Sequence, residues 1–453
     1  MQEVIQPEKL DQDWFTLYEE YRPNEPYDYF FGEKEKREQQ KQKFLAGEVR
    51  NPTFDYPRLS IPQLIQTEEN LLALKKALID AEENEIVKEA YRWKLNSEIM
   101  SVRLIMASAT GDMEMFKKYT EAVYGEPSMD IFAHFVNRIR TELNQDEETA
   151  NEELAEAIHN LKSVLPEELP KAKIITLPSE EVVKKAQKQT LDEMQKLIEL
   201  TRDKKYYSPV DIQKEFRRAI ETLNADKWDV VIDDETNRTA LAVSSKDEKV
   251  YVPANRATVH DELQELILHE IGTHVKRRVE GERSKLMLLG SGLDRHEKGG
   301  EGVATMREQA LRGKVKSFAG EELHFAISLA YGLDGNPRDF RDVFEVMTKL
   351  YEYKFIKNGI NKKLAKIAAE DNAWKTCTRV FRGTDCKTPG TAFTKDIIYA
   401  KGNIDIWNVI QTNPDEMMRF SIGKYDPANP RHVWLLDQLG INEQDLKDMK
   451  PRL

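Results

Sequence analysis

The segment HEIGTH, residues 269–274, carries two imidazoles with a glutamate beside the first, an H-E-x-x-x-H pattern. Neutral imidazoles are common zinc ligands, and a glutamate next to one of them is placed to act as a base. Glu301 adds a carboxylate further along the chain. Three protein ligands leave a fourth position open for water, which is typical of a catalytic zinc site. We therefore predict one Zn²⁺ per chain, held by His269, His274 and Glu301.

The two histidines are five residues apart, and an ideal α-helix separates such positions by roughly 140°. Apolar residues at helical spacing predict a single helix over residues 258–280, with Gly281 as its stop. A π-type turn takes in one extra residue and would bring both histidines to one face. Gly272 lies within that turn, where a residue without a Cβ adapts at the least steric cost. The spacing therefore predicts a local π-turn around Gly272.

Glu270 points away from the ligand beside it and is predicted to be the general base. It would take a proton from the zinc-activated water and later pass it to the leaving amine. His296 is an alternative third ligand to Glu301, since imidazole is the commoner zinc donor. Three carboxylates are candidates to orient a zinc histidine through its second nitrogen: Asp294, Asp371 and Asp396. The alternative without a metal is that the histidines and Glu270 are ordinary polar residues of a helix.

Five distinct sequence motifs follow one another after residue 260. They are HEIGTH at 269–274, LMLL at 286–289 followed by GL at 292–293, EGVA at 301–304, RGT at 382–384 and FTKDIIY at 393–399. These blocks resemble the microtubule-associated tyrosine carboxypeptidase family and its bacterial relatives, which carry an HEIGTH helix followed by a QEGLA motif. The resemblance spans roughly residues 178–424. The chain departs from the motif at Gly300, where relatives carry Gln or Glu, and at Val303, where they carry Leu.

The resemblance implies a zinc-dependent carboxypeptidase that acts on the C-terminal tail of a peptide or protein. Eukaryotic members of the family remove the C-terminal tyrosine of tubulin. By this likeness His269, His274 and Glu301 match the zinc ligands and Glu270 matches the catalytic glutamate.

A carboxypeptidase needs a cation that holds the terminal carboxylate of its substrate, and Arg or Lys can supply it. Arg379 and Lys401 are candidates, but Arg382 and Lys395 fall within the blocks that resemble the family and are the predicted substrate-binding residues. Tyr399 lies in the same block and is predicted to donate its hydroxyl to the tetrahedral oxyanion. For each of these residues the alternative is a solvated side chain in a loop.

Three short apolar or alternating segments precede the metal-binding helix, with turn-forming residues between them. They predict a small antiparallel sheet with strands at residues 228–233, 239–244 and 249–253. An edge strand of this sheet would pair with the substrate backbone, or the sheet would merely cover the helix; the sequence leaves both open.

Apolar periodicity predicts helices over most of the remaining chain, at residues 61–124, 129–161, 320–331, 338–357 and 362–379. Prolines punctuate residues 166–178, and Ser179 can cap the helix that follows. We therefore predict a helical N-terminal region, residues 1–170, and a catalytic domain, residues 171–453; one helical shell around a single core is the alternative. The predicted fold class is α+β and predominantly helical, with a zincin-like metallopeptidase core and a small antiparallel sheet beside the metal-binding helix.

The overall composition excludes several classes of protein. A net charge of −12 over 453 residues argues against nucleic acid as a partner and slightly disfavours the acidic tails of tubulin. We expect no membrane span, because no run of about 18 apolar residues occurs, and no secretory signal at the N-terminus. Cys377 and Cys386 are too few for a disulfide framework and are expected to be reduced. A cytoplasmic location follows as an expectation, whereas the oligomeric state is not predicted.

The combined prediction is a zinc metallopeptidase that is, by resemblance, a carboxypeptidase. One alternative is a catalytically weak or inactive relative that binds peptide in the same groove. Another is a regulatory protein whose zinc is structural, with His296 completing a closed site of four ligands.

Overall fold

The computed structural model describes residues 8–56, 60–167, 169–201, 203–233 and 241–441. Helices predominate in this part of the chain, as the sequence predicts, and a small sheet accompanies them. Every helix within these ranges is too short or too polar to cross a membrane.

The part of the chain up to residue 167 is helical wherever the structure describes regular elements. Its helices are α1 Gln12–Tyr21, α2 Pro26–Tyr29, α3 Lys34–Leu45, α4 Ile61–Ala81, α5 Glu85–Thr110, α6 Met113–Tyr124, α7 Met129–Glu147 and α8 Glu152–Lys162. Side chains of Asn84, Asp112 and Asn151 accept backbone N–H groups at the starts of α5, α6 and α8. Such caps satisfy donors that the first helical turn leaves unpaired.

The next part of the chain contains the sheet and the metal-binding motif. Its elements are α9 Glu180–Ile198, α10 Pro209–Thr222, β1 Asp229–Asp233, β2 Ala242–Ser244, β3 Lys249–Pro253, α11 His260–Leu266, a π-helix Ile267–Val275 and α12 Lys276–Arg283. Ser179 accepts the N–H of Val182 and caps α9, which confirms the predicted cap.

The three strands form a mixed sheet with the order β1-β3-β2, so the prediction of an antiparallel sheet is wrong for one of its two pairs. β2 and β3 are antiparallel, with Val243 opposite Val250, because a tight turn joins them. β1 lies parallel to β3, with Val230 opposite Val250. β1 lies on the side of β3 opposite to β2. Parallel strands need a longer connection than a hairpin, and β2 lies between β1 and β3 in the sequence. Residues 239 and 240 of the predicted middle strand lie outside the described residues.

The remaining elements are again helical: α13 Leu288–Ser291, α14 His296–Leu311, α15 Glu321–Tyr331, α16 Phe340–Lys357, α17 Lys362–Val380, α18 Ile397–Thr412 and α19 Pro430–Gln438, with 3₁₀ turns at Thr394–Asp396 and Pro414–Arg419. The helices predicted at 320–331, 338–357 and 362–379 are confirmed within two residues. Cys377 and Cys386 are buried free thiols, as expected.

The helix α14 packs between the π-helix and α18 and so connects the parts of the site. Gly302 of α14 faces Gly402 of α18, and a Cβ on Gly302 would collide with the carbonyl oxygen of Gly402. The two helix backbones can therefore approach this closely only because both residues lack a side chain. The contact lies one residue after Glu301 on α14 and three residues after Tyr399 on α18.

The N-terminal segment binds directly to the end of α12. Nζ of Lys9 donates to the carbonyl oxygens of Glu282 and Arg283 at 2.9 and 2.8 Å, which are among the orphan acceptors of that helix end. Asp11 accepts the backbone N–H groups of Met287 and Leu288 at 2.7 and 2.9 Å. These contacts join the predicted N-terminal region to the predicted catalytic domain, and the boundary between them stays a prediction.

Candidate active site

The HEIGTH segment lies in a π-helix that runs from Ile267 to Val275, so the π-turn predicted from the histidine spacing is confirmed. Oγ1 of Thr273 donates to the carbonyl oxygen of Leu268, five residues earlier, at 3.0 Å. The π-helix continues from α11 and into α12, and the helix ends at Arg283 rather than at the predicted Gly281. Gly281 instead permits close packing, because a Cβ there would collide with the backbone of residues 289–290.

Two neighbouring helices hold the π-helix in shape. A Cβ on Gly272 would lie 3.1 Å from Cδ2 of Leu197 and 3.5 Å from Sδ of Met194, so the glycine lets α9 pack closely against the widened turn. Arg307 of α14 is buried and donates to the carbonyl oxygen of Gly272 at 2.9 Å and to Oγ1 of Thr273 at 3.2 Å. These bonds satisfy backbone and side-chain acceptors at the distortion, where an unpaired buried acceptor would be costly.

The widened turn brings both imidazoles to one side of the helix, where they meet Glu301. The ring centroids of His269 and His274 are 5.0 Å apart. Nε2 of His269 lies 3.5 Å from Oε2 of Glu301, and Nε2 of His274 lies 3.7 Å from its Oε1. The two nitrogens and the carboxylate therefore converge on one small volume.

The two nitrogen–oxygen distances, each to a different oxygen of Glu301, are close to the donor spacing that zinc requires. Zinc bound tetrahedrally at about 2.1 Å by each ligand requires donor atoms roughly 3.4 Å apart. Oε2 of Glu301 is shielded from solvent and has no hydrogen-bond partner among the described residues, as expected of an atom that awaits a ligand. Glu270 forms a group with the two histidines in which one ligand atom from each residue lies within 4.8 Å of the others. Both glutamates therefore adjoin the histidine pair, and Glu301 presents one carboxylate oxygen to each imidazole.

A second carboxylate on α14 orients His269. Oε1 of Glu308 lies 2.6 Å from Nδ1 of His269, so Nδ1–H donates to the carboxylate and Nε2 faces Glu301. The sequence analysis missed Glu308. Its spacing from Glu301 could have predicted it, because two residues that are seven positions apart lie on the same face of an α-helix.

The three aspartates considered for this role are engaged elsewhere. Asp294 accepts from Arg431 and His432, Asp371 pairs with Lys41 and Lys375, and Asp396 pairs with Arg379. Nδ1 of His296 bonds to the carbonyl oxygen of Leu293 at 2.9 Å, and within the described ranges His296 does not belong to the group that His269, Glu270 and His274 form. The structure therefore brings Glu301, and not His296, next to the imidazoles of His269 and His274, which we call the metal-binding group together with Glu301.

Burial and neighbouring charges shift the pKa values of the titratable side chains at this site, some upward and some downward. Burial acts to lower the pKa of His269, but the carboxylates of Glu301 and Glu308 raise it well above its usual range. Burial lowers the pKa of His274 to about 3, so its imidazole is neutral and one ring nitrogen carries a lone pair. Burial acts to raise the pKa of Glu301, yet the two histidines lower it to about 2. The pKa of Glu270 rises to about 7, chiefly through burial.

Tyr399 and Lys395 lie close to this group. The charge of Glu301, together with burial, raises the pKa of the Tyr399 phenol well above its usual range, and Glu270 adds to the effect. Burial acts to lower the pKa of Lys395, whereas nearby carboxylates including Glu301 raise it. Nζ of Lys395 has no ion-pair partner in the described ranges, in contrast to Arg379, which grips Asp396 with two bonds of 2.8 Å.

Arg382 packs against two aromatic rings of the N-terminal region. Its guanidinium lies over the ring of Tyr27 at 4.3 Å and over that of Phe31 at 4.9 Å. Nζ of Lys395 lies 5.3 Å from the centroid of the same Tyr27 ring. The two predicted substrate-binding residues thus share an aromatic neighbour from the N-terminal region.

One further cation was not singled out from the sequence. Lys424 donates from Nζ to Oγ of Ser245 at 2.5 Å, just beyond strand β2, and its charge contributes to the lowered pKa of His274. Burial lowers the pKa of Lys424 itself well below its usual range. The edge strand β2 contacts the π-helix, so Lys424 and β2 border the site on the side of His274. The sequence around Lys424 does not predict that this residue lies beside the candidate site.

Comparison with known proteins identifies the relatives of this chain. A sequence model for the microtubule-associated tyrosine carboxypeptidase family matches residues 177–444, a range that includes the π-helix, Glu301, Glu308 and Lys395. The match agrees with the resemblance noted over residues 178–424. Comparison with curated proteins gave no match. The matched range covers more than half of the 453 residues, and the chain belongs to the microtubule-associated tyrosine carboxypeptidase family.

Proposed function

We propose that this protein is a zinc-dependent carboxypeptidase that removes C-terminal residues from a peptide or protein tail. Membership of the family implies a carboxypeptidase activity. The observation that carries the metal-dependent chemistry is the convergence of Nε2 of His269 and His274 on the two oxygens of Glu301, at 3.5 and 3.7 Å. This arrangement supports one Zn²⁺ held by these three side chains.

A bound zinc would supply Lewis acidity, which activates water and polarises the scissile carbonyl. Glu270 adjoins the histidine pair without occupying the Glu301 position. Its carboxylate accepts a proton from the attacking water and delivers that proton to the leaving amine nitrogen. The peptide C–N bond breaks in this step, and the products are a shortened chain and a free amino acid.

Tyr399 stabilises the tetrahedral oxyanion by donating its phenolic hydroxyl. Its position near both Glu301 and Glu270 supports this role, because their charges act directly on the phenol. A preorganised donor aimed at the developing charge lowers the barrier most when solvent is largely excluded. The raised pKa keeps the hydroxyl protonated, as a donor must be.

Lys395 holds the terminal carboxylate of the substrate. It lies near Glu301 and lacks an ion-pair partner in the described ranges, so its charge is available to an incoming anion. Arg382 contacts the same Tyr27 ring as Lys395 and is the second candidate for this subsite. β2 is an edge strand of the described sheet and borders the π-helix, and its free edge is our candidate for pairing with the extended substrate chain.

Zinc analysis of the purified protein tests the proposal. We expect about one zinc per chain in the wild type and loss of that zinc in the double variant His269→Ala/His274→Ala. His260→Ala is a matched control, because His260 begins the preceding helix, its side chain is 38% exposed and its Nδ1 lies 3.1 Å from Oδ1 of Asp261. Little zinc in the wild type after reconstitution would overturn the metal assignment.

Hydrolysis is measured in parallel on one peptide prepared with a free or an amidated C-terminus. We expect release of the terminal residue from the free acid alone, because Lys395 reads the carboxylate. Glu270→Gln should keep zinc and lose hydrolysis by at least about 100-fold. Turnover of the amidated peptide at a similar rate would replace the carboxypeptidase assignment with an endopeptidase, and full activity of Glu270→Gln would remove the proposed base.

A further inference from the structure

The helix α4 carries two rows of apolar side chains. The first row is buried in the hydrophobic core of the N-terminal region and consists of Leu64, Leu71, Leu74 and Leu78. The second row consists of Ile65, Leu72 and Ile79, which are 45, 43 and 39% exposed. A surface helix of a globular protein needs only the row that faces the core. We call the second row the α4 stripe.

The α4 stripe repeats every seven residues and therefore follows one line along the helix. Residues seven apart on an α-helix differ in direction by only about 20°. Single exposed apolar residues are common on protein surfaces, whereas a row at this spacing is the pattern by which two helices pair. The stripe also lies outside the range 177–444 that matches the family, so it is a feature of this chain beyond the family match.

Charged residues flank the α4 stripe on both sides, in the same order of signs. On one flank Glu68 precedes Lys75 by seven residues, and on the other Glu69 precedes Lys76 by seven. In a parallel pair of two copies of α4, each glutamate would face the same glutamate of the other copy. In an antiparallel pair centred on Leu72, each glutamate instead faces the lysine of the same flank in the other copy. Opposite charges then meet on both sides of the stripe.

One of the two flanks borders the neighbouring helix α5. Oε1 of Glu68 accepts from Nε of Arg103 at 2.7 Å, and Nζ of Lys75 donates to Oδ1 of Asn96 at 2.7 Å. Both partners belong to α5. The charges of this flank are thus already bonded within the chain, and they hold α4 in place with its stripe outward.

The other flank is open to a second copy. Glu69 is exposed, and the side chain of Lys76 is 79% exposed. Lys76 pairs with Asp80 on the same helix at 2.6 Å, a surface pair of the kind that contributes little and exchanges readily. The two lysines of α4 nearly balance its two glutamates and one aspartate, so two copies can approach here although the whole chain carries a net charge of −12.

We propose that the α4 stripe is the interface of a homodimer, in which two copies of α4 pack antiparallel about a twofold axis at Leu72. Leu72 contacts its equivalent in the other copy, and Ile65 of each copy contacts Ile79 of the other. Glu69 and Lys76 pair across the interface. The same surface is used by both copies, so the assembly closes at two. A contact through one helix is small beside the roughly 800 Å² per partner of a standard interface, so the dimer forms reversibly as concentration rises.

Sedimentation equilibrium of the full chain tests the dimer. We expect the average mass of the wild type to rise with concentration from one chain toward two. Leu72→Lys places like charges opposite each other at the centre of the contact and should raise the dissociation constant at least about 10-fold. Leu72 is exposed in the monomer, so this replacement leaves the fold intact. Ile367→Lys on α17, at an isoleucine that is 57% exposed, is the matched control and should leave the dissociation constant unchanged.

The charges of the open flank are tested by exchange. Glu69→Lys brings like charges together at two symmetric contacts and should raise the dissociation constant by about 3- to 10-fold. The double variant Glu69→Lys/Lys76→Glu exchanges the signs, so opposite charges meet again and association should recover. Failure of the double variant to recover would exclude the antiparallel pairing.

Cysteine cross-linking tests the register directly. Cys377 and Cys386 are buried, so a thiol introduced on the exposed stripe is the one that a short bismaleimide reaches. Leu72→Cys should cross-link to its equivalent in the other copy, because both lie at the twofold axis. Ile65→Cys alone should not, since its two copies lie about 21 Å apart along the helix axis. A mixture of Ile65→Cys and Ile79→Cys should cross-link.

The proposal fails if the wild type stays monomeric at every concentration. It fails equally if a dimer forms with the same dissociation constant in Leu72→Lys, because the contact then lies elsewhere. Cross-linking of Ile65→Cys to itself would replace the antiparallel register with a different one. None of these outcomes bears on the proposed carboxypeptidase activity, because the α4 stripe and the metal-binding group share no residue.

Discussion

Oε1 of Glu308 lies 2.6 Å from Nδ1 of His269, on the opposite side of the imidazole from Glu301. Both glutamates project from one face of α14, two helical turns apart. The same helix therefore supplies the predicted third zinc ligand and the carboxylate that orients one of the histidines. A bond of this kind selects the tautomer that leaves Nε2 free for a metal and increases the basicity of the ligand.

Replacement of Glu308 by Ala should weaken zinc binding by about 10- to 100-fold, because His269 would lose its fixed orientation. Competition with a chromophoric chelator measures this affinity. Glu265→Ala is the matched control: Glu265 pairs with Arg312, a neighbour it shares with Glu308, and makes no bond to His269. Equal zinc affinity in Glu308→Ala and Glu265→Ala would exclude an orienting role for Glu308.

The third ligand is tested by comparing Glu301→Ala with His296→Ala. Glu301 lies 3.5 and 3.7 Å from the two histidine nitrogens, whereas His296 bonds to the carbonyl oxygen of Leu293. We expect a much larger loss of zinc content in Glu301→Ala, measured by elemental analysis after dialysis against a weak chelator. The reverse ranking would reassign the third ligand to His296.

The contact between α14 and α18 is tested by Gly302→Ala. The added methyl group collides with the carbonyl oxygen of Gly402, so the helices must separate, at a cost of about 1–3 kcal/mol in the free energy of unfolding. Activity should fall as well, because the separation moves Tyr399 away from Glu301. Denaturant unfolding and peptide hydrolysis measure the two effects.

Gly300→Ala provides the control two residues earlier on α14. A Cβ there meets only Nη1 of Arg277, at an ordinary 3.4 Å, and alanine favours the helix. Stability should therefore stay constant or rise slightly. Similar losses in Gly300→Ala and Gly302→Ala would mean that the Gly402 contact does not determine the spacing of the helices.

The sequence predicts the metal-binding helix well because the constraint is local. Five residues between the histidines of one helix are incompatible with a shared face unless the helix widens, and Gly272 lies where the widening occurs. The long amphipathic helices after Glu301 are predicted for a similar reason, since their apolar periodicity extends over several turns.

The remaining features depend on contacts between distant segments. Phe30 is buried against Phe116 and Phe393, which lie far along the chain, and no local sequence pattern predicts that packing. Arg431 and His432, the partners of Asp294, follow it by 137 and 138 residues, so the sequence does not show that this aspartate is engaged. The parallel pairing of β1 and β3 likewise depends on how the chain returns between them.

Acid should destabilise the protein in part through Glu193. Its carboxylate is largely buried. Oε1 accepts from Nζ of Lys276 at 2.6 Å, and Oε2 accepts from Nη2 of Arg307 at 3.1 Å. Burial acts to raise its pKa, but these two cations lower it from 4.5 to about 2. A depressed pKa in the folded state stabilises the protein above about pH 4.5. That stabilisation, about 3 kcal/mol, is lost as the pH falls from 4.5 toward 2.

Chemical unfolding between pH 7 and pH 3 measures this contribution. Glu193→Gln should be less stable at pH 7, because Arg307 and Lys276 lose a charged partner, and it should lose less additional stability on acidification than the wild type. Asp192→Asn is the control, because Asp192 precedes Glu193 in the sequence and its carboxylate is exposed and pairs with Lys188 at the surface. Parallel acid profiles for the wild type and Glu193→Gln would contradict the assignment.

Tyr399→Phe isolates the proposed oxyanion donor. The ring and its packing remain, so zinc content and stability should match the wild type, whereas kcat should fall by about 100- to 1000-fold through loss of the donated hydrogen bond. KM should change little, because the bond strengthens chiefly in the transition state. Tyr29→Phe, a half-buried tyrosine on α2 away from the metal-binding group, should keep full activity. A Tyr399→Phe variant that loses affinity for substrate at unchanged kcat would instead make the hydroxyl a substrate-binding group.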